Sequence, residues 1–306
     1  MAKTLRETIK EIINIHLKKK KGIVMGQCLT AVGWVGGTLP KLYEKDGMIE
    51  LSMADVAGGG IAVGAALMKK RPIYVIRYQG FNWYNAPMIV NYACKSKEIW
   101  NVPCPMLVRG IGMEGGIGPV AGSSHHSIYF RMPGITIFSP MCPGEYKFIY
   151  NYFLQNDDVI YVSEHRSSYN NSKQLADKLD GKCDIIIFAI SITRFEAFKT
   201  RNLLKEKNIK VGIANIFWIK PFKIKTIWIN KLKNSKYGGL VIDDDYENGI
   251  AKSLANELSI KSGKRVNTLG LKNRSAGFSK KADNLPPNSK DIAKKIINII
   301  DLFSQK

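Results

Sequence analysis

Residues 50–95 constrain this chain more than any other stretch. A lone acid, Asp55, precedes Gly58, Gly59 and Gly60 and a run of small apolar residues through Leu67. A helix there carries little side-chain bulk and can lie close against a neighbouring backbone. Arg71 and Pro72 then lead into an apolar strand over 73–78, and Tyr78, Phe81, Trp83 and Tyr84 crowd the turn that follows. A close-packing helix followed at once by a buried strand requires a layered α/β fold. On residue type alone, Asp55 is a helix N-cap and the glycines are a tight packing surface.

The same alternation runs along the chain. Leu5, Ile9, Ile12 and Ile13 recur at helical spacing and predict an amphipathic helix over 4–18. Apolar runs predict strands at 22–25, 73–78, 105–109, 135–138 and 159–163, with helices around 59–70, 84–98 and 144–155 between them. Such alternation implies a mostly parallel sheet. Residues 166–182 are polar and turn-rich and mark a boundary between domains at 1–178 and 183–306. The second unit has strands at 184–191, 210–216, 239–242 and 265–271, and a helix near 195–207. Its last helix, 289–304, follows the break at Pro286 and Pro287, with Ser289 as its cap candidate.

Charge and cysteines narrow the function. The net charge is +21, with 24 Lys/Arg against 11 Asp/Glu after residue 182 and 22 against 14 before it. That even spread describes a lysine-rich solvated surface, and no nucleic-acid reading motif accompanies it. The one basic run, Lys18 to Lys21, stands at a helix end, where the dipole favours cations. Five scattered cysteines with no C-x-x-C pair argue against zinc and against a disulfide framework, and fit a reducing cytoplasm. No apolar run is long enough to span a bilayer, and the N-terminal stretch lacks the apolar core of a secretory signal.

The ordered series of segments resembles the thiamine-diphosphate enzymes, in particular the beta subunit of the 2-oxo acid dehydrogenase first component and the C-terminal half of transketolase. TLRETIKEIIN is similar to that family's opening helix, GIVMGQCLTAVGWVGGTLPKL to its first strand and glycine turn, and VAGGGIAVGAALMKKRPIYVIRYQGF to its cofactor-side helix and next strand. PGITIFSPMCPGEYKFIYNYF and DDVIYVSEHR resemble the closing segments of that domain; NIFWIKPF, VIDDDYENGIAKSLA and NLPPNSKDIAKKI resemble the following one. The resemblance implies a parallel-sheet pyrimidine-binding domain followed by a transketolase C-terminal-like α/β domain. The cofactor would be thiamine diphosphate with Mg²⁺. This sequence has no Gly-Asp-Gly, the motif the family uses for the metal and diphosphate. An alpha-type partner subunit would therefore hold both, in a heterotetramer or around a homodimer core. The expected substrate is a small 2-oxo acid or sugar, with no nucleic-acid or membrane partner.

Carried over residue by residue, the resemblance puts Asp55 where the family has the glutamate that hydrogen-bonds the aminopyrimidine ring. Aspartate keeps the charge but is one methylene shorter. Tyr78 and Phe81 stand where aromatic rings pack on the pyrimidine, although both also suit a core. The loop that typically reads Gly-Pro-Thr-His here has Gly118, Pro119, Val120 and Ala121, so the expected histidine is missing. His125 and His126 follow it. A substrate role and a plain polar helix start both fit them, and His126 matches a second histidine found in transketolases. Gln27 occupies a position that is often acidic. Glu164, His165 and Arg166 end a strand, either as site groups or as a solvated end with an interface salt bridge. Asp243, Asp244 and Asp245 end another, and carboxylates alone do not make a cation site. The changed acid and the missing histidine also suit a catalytically degenerate scaffold.

Overall fold

A computed structural model describes residues 2–113, 122–275 and 284–304. Ala121 and the rest of the altered glycine-proline loop, 118–121, lie outside the described residues. In chain order the first half runs α1 (Leu5–Leu17), β1 (Gly22–Gln27), α2 (Ala31–Gly37), β2 (Met48–Leu51), α3 (Asp55–Leu67), β3 (Arg71–Ile76), α4 (Asn82–Met88), α5 (Cys94–Trp100), β4 (Met106–Gly112), α6 (Ser127–Phe130), β5 (Ile135–Phe138), α7 (Pro143–Gln155) and β6 (Val159–His165). The second half runs β7 (Ile185–Ile190), α8 (Thr193–Lys205), β8 (Val211–Ile216), β9 (Trp218–Lys220), α9 (Thr226–Lys233), β10 (Gly239–Tyr246), α10 (Ile250–Ser262), β11 (Val266–Leu271) and α11 (Ser289–Ser304).

Two sheets organise the chain. The first has the order β2-β1-β3-β4-β6-β5-β9 and the second β11-β10-β7-β8. Among the described residues every pairing between these strands is parallel except β5 with β9. The central strands are buried on both faces, as in IIIFAI of β7, so they appear as unbroken apolar runs and not as alternation. β9 belongs to the second half but adds an antiparallel edge to the first sheet, pairing Lys220 with Ile137 and Trp218 with Phe138.

Local chemistry sets the helix ends. Thr4 and Glu7 form a reciprocal capping box that starts α1. The last helix is capped by Asn288 and not by Ser289: the Asn288 side chain accepts from the backbone of Lys290 and Asp291 at 2.9 and 3.1 Å. Asparagine's planar carbonyl reaches those amides, while the Ser289 N–H is spent on Glu196 at 2.8 Å. The helical stretch expected around 84–98 divides into α4 and α5, joined by a π turn at 89–93. The glycine turn after β1 goes left-handed, with positive φ at each of residues 32–36, which Gly33 and Gly36 tolerate best.

Candidate active site

The carboxyl ends of parallel strands are where ligands bind in open α/β sheets, and the candidate residues collect along that edge. Asp55 follows β2, Gln27 ends β1, Tyr78 and Phe81 follow β3, His125 and His126 follow β4, and Glu164 and His165 end β6.

Asp55 is the first residue of α3, and the N-cap position belongs to Ala54, which makes no side-chain cap bond. The N-cap role is therefore set aside. Half-buried, Asp55 accepts through Oδ1 from Asn85 Nδ2 at 2.9 Å; among the described residues its Oδ2 receives no hydrogen bond. Asn85 also donates to the Phe81 carbonyl at 3.0 Å, tying the acid to the aromatic turn. The Phe81 ring lies 6.1 Å from Tyr78 and 6.4 Å from Tyr84, and the Arg77 guanidinium sits 5.4 Å above Tyr78. Both Tyr78 and Phe81 keep part of their surface exposed. Gln27 is buried, and its Nε2 finds no partner among the described residues.

Sequence reasoning missed Gln79, which ties the strand ends together. It is fully buried; its amide donates to Gly110 O, Ser163 Oγ and Glu164 O, and its carbonyl accepts from the His125 N–H at 2.6 Å. Three strand ends are thus locked by one side chain. Gly112 leaves room for it, since a Cβ there would come within 2.7 Å of Ser124 Oγ and 3.3 Å of Gln79 Nε2.

The two histidines part company. His125 borders a cleft of about 780 Å³ with Trp83, Pro87, Arg131, Asp245 and Tyr246, and its ring lies 6.1 Å from that of Tyr246. Burial holds its imidazole below the ordinary value; the Asp245 carboxylate opposes this, and His126 reinforces it. His126 does not face the cleft. It is fully buried, with Nε2 3.1 Å from each Asp243 oxygen and Nδ1 3.0 Å from Ser163 Oγ. A substrate contact does not fit that position, which joins the first half of the chain to β10 of the second. Burial disfavours its charge, but Asp243, with Asp245 and Asp244 behind it, outweighs burial and pushes the imidazole up to about 10. Three consecutive carboxylates are therefore structural here. Asp245 accepts from the Ser127 N–H at 2.8 Å, and Asp244 accepts from the Ser124 and Ser191 hydroxyls at 2.7 and 3.0 Å. Donor atoms of His126, Asp243 and Asp244 lie within 4.8 Å of one another, but the His126 nitrogen is already committed to Asp243.

This cluster makes stability depend on pH. Burial and the neighbouring Asp243 raise the Asp244 carboxyl to about 7, against the opposing pull of His126 and the two serines. The folded state then holds this proton where the unfolded chain has lost it, so stability falls as pH rises from about 4 to 7. His126 acts in a second window: its contribution is whole below about 6.5 and fades as pH climbs toward 10. Asp244→Asn should flatten the first decline, worth at most about 1.4 kcal/mol per pH unit, and keep the second, which should end at a lower pH because the Asp244 charge helps to hold the His126 proton. Urea denaturation midpoints from pH 4 to 10 measure both; an unchanged slope below pH 7 in the variant would contradict this account.

Comparison with known proteins places the chain. Residues 2–172 match the family model described as the transketolase pyrimidine binding domain, and residues 175–283 match the transketolase C-terminal domain. The chain belongs to the transketolase pyrimidine-binding family. Its curated relatives include the pyruvate dehydrogenase E1 component subunit beta of Rickettsia bellii, 25% identical over 262 residues and 79% of each chain. They also include the 2-oxoisovalerate dehydrogenase subunit beta of Bacillus subtilis, 24% identical over 272 residues, or 80% of this chain and 82% of that one. Among solved structures, a split-gene transketolase described as an inactive beta4 tetramer superposes with a TM-score of 0.76 over 99% of both chains at 13% identity, a likeness of fold. The chain thus has a transketolase-like fold in which a pyrimidine-binding domain precedes the C-terminal domain. For an aminopyrimidine the residues present offer a carboxylate oxygen with no hydrogen bond among the described residues and two partly exposed rings, the acid being tied to the aromatic turn through Asn85 and the Phe81 carbonyl.

Proposed function

We propose that this chain is the beta-type, pyrimidine-binding subunit of a heteromeric thiamine-diphosphate enzyme that makes or breaks a carbon–carbon bond in a 2-oxo acid or ketose. One observation supports this reading within the family: the half-buried Asp55 carboxylate is fixed through one oxygen while the other receives no hydrogen bond among the described residues, and Asn85 ties it to the turn that carries the Tyr78–Phe81 rings. The bound cofactor would supply a nucleophilic carbon next to a cationic ring nitrogen. Asp55 would accept a hydrogen bond from the aminopyrimidine and hold the proton balance of that ring. Tyr78 and Phe81 would offer their faces to the ring, where offset stacking is favourable. His125 would face substrate from the interdomain cleft, its imidazole kept neutral by burial.

An alpha-type partner would bring Mg²⁺ and the diphosphate ligands, because Gly-Asp-Gly is missing from this sequence. A heterotetramer meets that need. Five free cysteines, four of them buried, suit a reducing cytoplasm.

Calorimetric titration of thiamine diphosphate with Mg²⁺ tests the proposal. The chain combined with its alpha-type partner should bind one cofactor per pair, and the chain alone should bind far more weakly. A complex that takes up no cofactor would sink the proposal and favour the scaffold reading, which the Ala121 replacement supports.

A further inference from the structure

We infer that Asn85 is a positioning residue, held by Tyr74 and the Phe81 carbonyl, that aims the short Asp55 carboxylate at the pyrimidine. The inference rests on the function proposed above and adds to it the means by which an aspartate serves there.

An aspartate at the first position of a helix has an easy alternative: turning back onto the free amides of its own first turn. Here Oδ1 is held instead by a side chain from the next helix. Asn85 is fully buried in α4, and both of its amide protons and its carbonyl oxygen are used. One Nδ2 proton goes to Asp55 Oδ1 at 2.9 Å and the other to the Phe81 carbonyl at 3.0 Å, while Oδ1 accepts from the Tyr74 hydroxyl at 2.6 Å. Reversing the amide would set its oxygen against a carboxylate and a carbonyl, both acceptors, while the Tyr74 hydroxyl can meet either end. The two acceptors therefore fix its orientation, and Tyr74 completes the contact. The Tyr74 phenol is raised from its ordinary value first by burial and then by the Asp55 charge, so it remains a donor.

The glycines of α3 make this clamp possible. A Cβ on Gly58 would come within 3.0 Å of the Tyr74 hydroxyl, and one on Gly59 within 3.3 Å of Asn85 Oδ1. The close approach seen in the sequence is thus the approach of a polar clamp beneath the helix, and Gly60 meets only Met88. With Oδ1 pinned, Oδ2 is presented in a fixed direction. A reach shortened by one methylene leaves little tolerance, since a misplacement of about 1 Å can cost on the order of 10²-fold in rate.

A double-mutant cycle on thiamine diphosphate affinity, measured by calorimetry in the complex with the alpha-type partner, separates positioning from mere structure. Asn85→Leu should weaken binding about tenfold when Asp55 is present and less than about twofold in an Asp55→Ala background. Tyr74→Phe, which removes one hydroxyl and keeps the ring, should fall between wild type and Asn85→Leu. Equal losses in both backgrounds, or no loss in either, would overturn the inference while leaving Asp55 as the cofactor's partner. Should Asp55→Ala itself leave affinity unchanged, the role of Asp55 falls and the inference with it. In the full chain without a partner, the Asn85 side-chain amide resonances should shift in both the Asp55→Ala and the Tyr74→Phe variants. Resonances unmoved in both would refute the clamp directly.

Discussion

Asp55→Ala should reduce turnover of the reconstituted complex by at least about 10²-fold, because positioned proton-transfer groups contribute roughly 10²–10⁴-fold. Asp55→Asn keeps the shape and the Asn85 neighbour but cannot hold the charge, and should lose nearly as much. Asp55→Glu restores the family's length and charge and should retain turnover. The series separates chemistry from folding. Asp55 is half-exposed and receives a single hydrogen bond, so its removal should cost only about 1 kcal/mol of stability. Initial rates for the three variants beside their urea midpoints decide the matter. Turnover in the alanine variant equal to wild type would take Asp55 out of the mechanism.

The position of Asp55 was legible because it stands before a small-residue helix in an ordered series of segments. Its support was not. Asn85 is an amide within α4, and nothing in its neighbours foretells that it crosses to Asp55, 30 positions earlier. The strand order shows the same limit. Buried parallel strands stand out as apolar runs, but β2 has an exposed Glu50 in its four residues, and β9 is a three-residue edge whose partner lies in the other half of the chain. His126 looked like a site residue because imidazole is versatile; what decides its role is the Asp243 carboxylate 117 positions away. A signal for that was present. Three acids directly after the apolar run Gly239–Ile242 of β10 cannot all be solvated when the strand is central, so protonation, hydrogen-bond donors or a buried cation had to meet them.

Charge burial is also why Glu164 should dominate stability. The sequence allowed it to be a solvated strand end with an interface salt bridge. In the fold Glu164 is 1% exposed and Arg109 is fully buried, on the neighbouring strands β6 and β4. Arg109 Nε and Nη2 grip the two carboxylate oxygens at 2.6 and 2.9 Å. The hydroxyls of Tyr146 and Tyr169 donate to the same oxygens at 2.9 and 2.6 Å, and Thr38 Oγ accepts from Arg109 at 3.0 Å. Burial alone would lower the guanidinium's proton affinity, but Glu164 outweighs it and keeps Arg109 charged. Glu164→Ala should therefore strand a buried cation and two buried hydroxyls, at a cost of about 3–5 kcal/mol. Glu164→Gln keeps the volume and an acceptor for the tyrosines but not the charge, and should lose less. Arg109→Met combined with Glu164→Leu should recover most of the loss, since well-packed apolar replacements of buried ion pairs are often neutral. Urea denaturation at pH 7 compares the set. A Glu164→Ala midpoint matching wild type would mean that the pair contributes nothing. A double variant as unstable as Glu164→Ala would mean that its hydrogen bonds, and not the stranded charge, set the cost.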